Sequence, residues 1–571
     1  MSHMHQVSSL IQKMVKIPPL KALSLFNSST VNGFQQTHES TVVILHILLS
    51  SKMLAEAQSI LLQLISGRLS SLSFNTSTLL SHFTKPHLSY DFLNLPLLYE
   101  AIISAYVQSQ NSEESLFYLY DMISKGLRPR SNTFNSLLTL LLKSNMFDNA
   151  WRLFNETKGK IELDTYTFGI MIKGCCGVGD LIKGFDLLAQ MEEMCISPTV
   201  VIYTTLIDGC CKNGDIGVAK KLFTTMATLG LVPNEFTYTS LINGYFKKGL
   251  KKEGLELYEE MQVRGVNPNI YTYNSVISEY CRDGNLKKAF ELFGQMREKE
   301  VARNVVTYNT LITGLCRERK PLEAEKLVLR MKKFGLSPNL ITFNTLIDGF
   351  CKMGKLDKAL VVFEQMKESG QSVSLVTYNI LIVGFSRAGN LERAAQFVKE
   401  MEERGISPSK VTYTILIDTF VRSGNMEKAF ELHSSMEKAG LTTDVYTYGV
   451  LIHGLCITGN MKDALKLFRV MSEKQLNPND VIYNTMIYGY CKQGSSYRAL
   501  RLLKEMQDNG MVPNIASYAL TIDILCKDGK LLEAEDMLAK MLGFGMKPSD
   551  SIYSTISKAK HKDILKVDIM E

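Results

Sequence analysis

From about residue 96 onward, apolar positions recur in two helical phases parted by a short break, and the same two phases return 35 residues later. In the stretch 305–339 the first phase runs through Val306, Leu311, Ile312, Leu315 and Cys316, and the second through Leu322, Ala324, Leu327, Val328 and Met331. Apolar residues at these intervals share one face of a 3.6-residue helix, so each stretch predicts two amphipathic helices. Gly214, Gly284, Gly354, Gly389 and Gly424 fall between the two helices, where a glycine past the last turn makes a good cap. A second glycine then precedes the proline that closes the pair, as with Gly335 before Pro338 and Gly405 before Pro408.

Blocks of this form begin at Pro96, Ser131, Thr165, Val200, Glu235, Ile270, Val305, Leu340, Leu375, Lys410, Val445, Asp480 and Ile515, and only the block at Ser131 is one residue short. That makes thirteen helix–turn–helix repeats over 96–549. Twelve methionines, among them Met331 and Met366, occupy one repeat position, and Ala289, Ala324, Ala359, Ala394, Ala429 and Ala464 recur where the helices would cross. A single block cannot bury its own apolar face, whereas stacked copies can. The expected fold is therefore all-α, an α-solenoid winding as a right-handed superhelix.

The ends differ. Residues 1–38 carry no Asp or Glu, contain Lys13, Lys16 and Lys21 among many serines, and no Arg precedes Arg68. This predicts an organellar transit peptide over 1–37, with an unprocessed tail as the alternative. Within 38–95, Leu54, Ala57, Ile60, Leu61 and Leu64 read as a degenerate helical repeat region. Residues 550–571 begin a further block at Ile552 and Tyr553 and break off, an incomplete repeat able to serve as a polar C-terminal cap.

Composition narrows the classes. Hydrophobic residues are 45% and charged ones 21%, which excludes wholesale disorder. The balance of 64 Lys+Arg over 57 Asp+Glu gives +7, which permits a polyanionic partner without requiring one. Charged residues interrupt every apolar run before it could span a bilayer, so membrane insertion is not expected. Eight of the eleven cysteines (Cys176, Cys211, Cys281, Cys316, Cys351, Cys456, Cys491 and Cys526) lie 35 residues or a multiple of 35 apart, and no C-x-x-C occurs. They follow the repeat and form no ligand cluster, so no metal or cofactor is expected and reduced, packed thiols are.

Two positions vary in a way the core does not dictate. The last residue of each block is Asp164, Asn234, Asn269, Asn304, Asn339, Ser374, Ser409, Asp444 or Asn514 in nine of them, good N-caps for the helix that follows. The fifth is Asn135, Thr204, Thr239, Asn274, Asn309, Asn344, Asn379, Thr414 or Asn484 in the same blocks. These are mediocre helix formers, costing roughly several tenths of a kcal/mol each against Ala or Leu, and capping does not explain them, which points to a use outside the fold. At about 100° per residue the second, fifth and thirteenth positions share a sector of about 80°. The second is apolar or aromatic, as in Val201, Phe236, Tyr271, Val306, Ile341, Val376, Val411, Tyr446 and Val481. The thirteenth is basic at Lys212, Lys247, Arg282, Arg317, Lys352, Arg387, Arg422, Lys492 and Lys527, either a phosphate-binding row or a solvated face complementing the helix dipole. An apolar contact for a base face, an amide or hydroxyl for its edge and a cation for phosphate suit single-stranded RNA.

The block V-V-T-Y-N-T-L-I…A…L…M…G…P-N of 305–339 resembles the pentatricopeptide repeat consensus, and its uniform length resembles the pure P-type branch. Tetratricopeptide repeats, whose members are protein-binding scaffolds, run 34 residues with a Trp/Gly/Tyr pattern; here the only Trp is Trp151. Neither the H-x-E nor the C-x-x-C motif of the family's deaminase-bearing branch is present, so no catalysis is expected. The resemblance implies one base per repeat, selected by the fifth and last residues and read 5′ to 3′ from N- to C-terminus. It assigns U to Asn135/Asp164, A to Thr204/Asn234 and Thr239/Asn269, and C with U tolerated to Asn274/Asn304 and Asn309/Asn339. Asn344/Ser374, Asn379/Ser409 and Asn484/Asn514 take C or U, and Thr414/Asp444 takes G. Glu100/Arg130, Gly169/Thr199, Gly449/Asn479 and Ala519/Ser549 depart from the readable pairs and stay open. The implied site is 5′-nUnAAYYYYGnYn-3′. It further implies a monomer in mitochondrial RNA metabolism, or chloroplast RNA metabolism as the alternative, with splicing or processing proteins as further partners. Nine blocks at about 1–3 kcal/mol each would sum to about 9–27 kcal/mol, beyond the ceiling of roughly 18–21 for non-covalent binding, so several blocks must contribute little.

Overall fold

The computed structural model describes residues 2–31, 36–67, 76–83 and 95–570, with side chains described from Val7 to His561, and these residues form 32 α-helices and no strand. The chain divides into two compact units, Met1–Glu279 and Tyr280–Glu571. From Leu95 to Gly543 the helices alternate as thirteen pairs, for example Val305–Arg317 with Pro321–Lys333. Apart from Ile270–Arg282, which crosses from one unit to the other, each first helix packs on its own second helix and, within a unit, on the first helix of the next pair. Within each unit, first helices thus form one layer and second helices the other, the expected α-solenoid of stacked helix pairs.

Repeat positions explain this packing. The twelve periodic methionines, Met122 and Met191 through Met541, are all fully buried, and Ala289, Ala324, Ala359, Ala429 and Ala464 are too. Burying one such Met is worth about 1.5–3 kcal/mol, and the alanines let the helix axes approach. Six of the eight periodic thiols meet a periodic glycine of the following block. A Cβ placed on Gly349 would come 2.6 Å from Sγ of Cys316, and one on Gly314 the same distance from Sγ of Cys281. Small groups at both positions are what close stacking of successive first helices requires, and burial pushes the Cys316 thiol up to about 12.

Gly214 caps its helix with φ of 85°, but Arg319 holds the corresponding hinge at φ 58° without being glycine. The short block loses its residue after the second helix, which spans only Phe147–Thr157 before a turn in which the Lys160 N–H donates to the Thr157 carbonyl at 2.9 Å.

The segment expected to be a presequence forms helices Ser2–Val15 and Pro19–Val31, which bury Met14, Ala22 and Phe26 and pack on His38–Ser50. Met1 and 32–35 of that segment, and 68–75 and 84–94 of the degenerate region, lie outside the described residues. At the other end, Asp550–Met570 is one helix docked through Ile552 and Ile556. No described helix is long and apolar enough to cross a membrane, and no described group of three His, Cys, Asp or Glu could hold a metal ion.

Candidate nucleic-acid interface

The last residue of a block is an N-cap. Oδ1 of Asn339 accepts from the Thr342 N–H at 3.1 Å and lies 3.1 Å from its hydroxyl oxygen, while the Asn339 N–H donates back to that hydroxyl at 3.2 Å. Asn234, Asn304, Ser374 and Ser409 make the same reciprocal box, and Asn269 and Asn514 accept from the N–H three residues on. Asp164 and Asp444 each use one oxygen, Oδ1, for both Thr contacts, at 2.7 Å and 2.9 Å respectively. Burial opposes their charge, but these donors, with Asn135 for Asp164 and Lys410 for Asp444, outweigh it and hold both carboxyls below the ordinary value. Capping therefore consumes one side-chain atom and leaves the other: Oδ2, an acceptor, in Asp, and Nδ2, a donor, in Asn. Nδ2 of Asn269 is buried with no hydrogen-bond partner.

The fifth residue also has a use inside the fold, which corrects the expectation that only something external could employ it. In seven of the nine blocks it bonds the third residue of the following block. The Thr342 hydroxyl donates to Asn309 Oδ1 at 2.6 Å, Thr377 to Asn344 at 2.8 Å, Thr412 to Asn379 at 2.9 Å and Ser517 to Asn484 at 2.7 Å. Where the fifth residue is Thr, two hydroxyls meet: Thr204 with Thr237 at 2.7 Å, Thr239 with Thr272 at 2.6 Å, and Thr414 with Thr447 at 2.8 Å. The bonds offset part of the helix-propensity cost, and sequence periodicity could not disclose them because they depend on how adjacent first helices stack. Asn135, Thr239, Asn309 and Thr414 are buried, and Thr204, Asn274, Asn344, Asn379 and Asn484 half-buried. Oδ1 of Asn135 and of Asn274 are buried with no hydrogen-bond partner.

The second-position row stands out into solvent. Val201, Phe236, Tyr271, Val306, Ile341, Val376, Val411, Tyr446 and Val481 are 54–67% exposed, unusual for large apolar side chains. The same 35-residue spacing leads to Tyr166, 66% exposed, which sequence reasoning missed. All nine predicted thirteenth-position cations are exposed. Four of them pair with an aspartate one turn earlier: Lys212 with Asp208 at 2.7 Å, Lys352 with Asp348 at 2.7 Å, Arg422 with Asp418 at 2.8 Å and Lys527 with Asp523 at 2.6 Å. The i, i+4 spacing places each pair on one helix face. Lys143, at the thirteenth position of the block beginning at Ser131, extends the row.

These positions converge on clefts. In the second unit a cleft is lined by Val411 and Tyr446, Thr414, Asp444, Arg387 and Arg422. In the first, a cleft is lined by Asn132 and Tyr166, Asn135 and Lys143. Each joins the second-position residues of two consecutive blocks with the fifth-position residue between them and a cation at the rim. An opening of that kind, flanked by exposed side chains and floored by polar ones, is suited to a flat polar ring followed by an anion.

A solenoid of 35-residue helix pairs with such a periodic cleft defines a class of modular binding protein. Models described as the PPR repeat family match 129–177, 198–247, 233–282, 268–317, 303–352, 338–387, 373–422, 411–457 and 478–527, and PPR repeat models match 98–127, 166–196, 446–476 and 516–546. The chain belongs to the pentatricopeptide repeat family. It is 56% identical over 196 residues to a pentatricopeptide repeat-containing protein of Arabidopsis thaliana, covering 34% of this chain and 34% of that one. A second Arabidopsis relative, whose name marks it mitochondrial, is 28% identical over 107 residues, 18% of this chain and 27% of its own. A third, marked chloroplastic, is 26% identical over 187 residues, 31% and 22% of the two chains. The chain thus spans about a third or less of the length of these curated relatives. The crystal structure of the maize protein PPR10 has the same fold, with a TM-score of 0.61, 20% identity and coverage of 97% of this chain and 90% of that one.

Proposed function

We propose that this chain binds single-stranded RNA in a sequence-specific way, one base per block, in organellar RNA metabolism. The observation that carries the reading is the convergence of second, fifth, last and thirteenth positions on the cleft around Thr414, with second, fifth and thirteenth positions meeting again around Asn135. The caps supply a chemical rule. An Asp whose Oδ1 is occupied offers an acceptor, which suits the ring N–H of uracil or guanine; an Asn so occupied offers a donor, which suits the bare ring nitrogen of cytosine or adenine. Asn at the fifth position reaches further than Thr, favouring the smaller pyrimidine, and Thr leaves room for a purine. These two distinctions support U at Asn135/Asp164, A at Thr204/Asn234 and Thr239/Asn269, pyrimidine at Asn309/Asn339 and G at Thr414/Asp444. The protein would hold one transcript segment extended, blocking nucleases or a competing RNA fold, with splicing, end processing, stability or translation as the outcome. Relatives named mitochondrial and chloroplastic support an organellar destination; of the two we propose the mitochondrion.

Selection from a random RNA pool by the purified chain tests this. Enrichment of a segment containing AAYYYYG is expected. A pool that stays unenriched, or enriches equally on a protein ligand in its place, would overturn it in favour of a protein-binding scaffold.

A further inference from the structure

Three blocks lack a side chain able to hydrogen-bond at the fifth position, those with Gly169, Gly449 and Ala519. The third residue of the block after each is Ile202, Ile482 and Ile552, whereas after every block with a polar fifth residue it is Thr or Ser. The two positions are therefore exchanged together along one chain. The structure gives the physical reason. The third-position hydroxyl donates to a fifth-position Asn or meets a fifth-position Thr, as with Thr342 and Asn309 at 2.6 Å or Thr447 and Thr414 at 2.8 Å. That bond fixes Oδ1 of Asn309, Asn344, Asn379 and Asn484 against the next block, and at Asn309 it leaves Nδ2 facing the cap, where it donates to Asn339 Oδ1 at 3.1 Å. In the other blocks the hydroxyl is gone. A Cβ on Gly449 would touch Cγ1 of Ile482 at 3.4 Å and Cδ1 at 3.5 Å, and Ile482 is 2% exposed. The isoleucine lies in van der Waals contact with the fifth position and offers it no hydrogen-bonding group.

Resting on the RNA reading above, we propose that the third residue of a block sets whether the preceding block selects among bases. Thr or Ser makes that block a selecting step and Ile a permissive one, so the nucleotides facing 165–199, 445–479 and 515–549 are bound without choice. What holds the base at the first two of these steps is packing between exposed flanks, Tyr166 with Val201 and Tyr446 with Val481, each 63–67% exposed. Packing of this kind accepts any base, because every base has a π-face. Thr447 is in this sense a positioning residue for the step at Thr414/Asp444.

The test uses the full chain and two sets of four RNAs, one varied at the nucleotide facing 445–479 and one at the nucleotide facing 410–444. The expected spread in affinity is below roughly three-fold in the first set and above roughly ten-fold in the second. Thr447→Val should collapse the second spread while leaving the response at other nucleotides in place, and Thr447→Ser should restore it. The paired change Gly449→Thr with Ile482→Thr should create a preference of roughly ten-fold for A beside Asn479. Equal spreads in the two sets, or a Thr447→Val chain that still selects, would overturn the inference while leaving RNA reading intact. A wild-type chain that selects at neither step would overturn the RNA reading itself.

Discussion

Replacing Thr414 by Asn puts the base rule under direct strain. Thr414 Oγ1 is satisfied internally, by Thr447 Oγ1 at 2.8 Å and by the Lys410 carbonyl at 2.9 Å. Asp444 is the cap beside it, with Oδ1 committed to Thr447 and Oδ2 3.3 Å from Lys410 Nζ. An Asn at 414 would repeat the arrangement of Asn379, whose Oδ1 accepts from Thr412 at 2.9 Å. The internal bond survives, so stability should change little. What changes is reach: the longer amide crowds a purine and meets a pyrimidine, while Asp444 still offers an acceptor. A single well-made base contact discriminates by about 1–3 kcal/mol, and about 1.4 kcal/mol is ten-fold. The G-to-U affinity ratio should therefore move from roughly ten in favour of G to roughly ten in favour of U, a swing of about 2.7 kcal/mol. Competition anisotropy at one fixed salt concentration, with two RNAs differing only at that nucleotide, reads the ratio directly. A ratio unchanged within a factor of about two, in a variant that folds and binds, would refute the reasoning.

Four further outcomes are expected. Replacing Lys247, Arg317 and Arg387 by Ala should weaken all RNAs alike and reduce the salt slope by about 2, at about 0.7 per lost phosphate contact, whereas the same change at the Asp-paired Lys212, Lys352 and Lys527 should move it less. Arg319→Gly should relieve the left-handed hinge at φ 58° and slow amide exchange there roughly five-fold, about 1 kcal/mol; faster exchange would refute the strain. Native alkylation should label exposed Cys195 first and leave Cys316, Cys351 and Cys456, pushed up to about 12 by burial, unlabelled until unfolding. Because the folded Asp164 and Asp444 carboxyls lie below their ordinary value, their contribution to stability is present above about pH 4 and is lost as pH falls through the folded value. An acid titration of the melting temperature should therefore fall less in a chain with both replaced by Asn.

The helix pairs were legible because a 3.6-residue phase and a fixed period survive in the sequence without any tertiary knowledge. Caps were legible for the same local reason: Asn339 and Thr342 lie three residues apart. The partner of Asn309 was not, since Thr342 reaches it only when two first helices stack in one register. The mid-helix Asn and Thr stand out in the sequence as poor helix formers, and the fold itself uses them through bonds between stacked first helices. Neutralisation of Lys212 by Asp208 was readable from i, i+4 spacing alone, as were Tyr166 and Lys143 from the 35-residue ruler. The burial of Met14 and Phe26 was not, because a basic, serine-rich segment has no period from which packing against His38–Ser50 could be inferred.

Site-specific photocrosslinking tests the central claim most directly. A single 4-thiouridine is walked through the bound RNA, and the crosslinked peptide is identified by mass spectrometry at each step. Adducts should advance one block per nucleotide from N- to C-terminus as the probe moves 5′ to 3′, always on first-helix peptides such as those holding Tyr166, Tyr271 and Tyr446. Adducts that gather on second helices, or that fail to advance with the probe, would contradict the account.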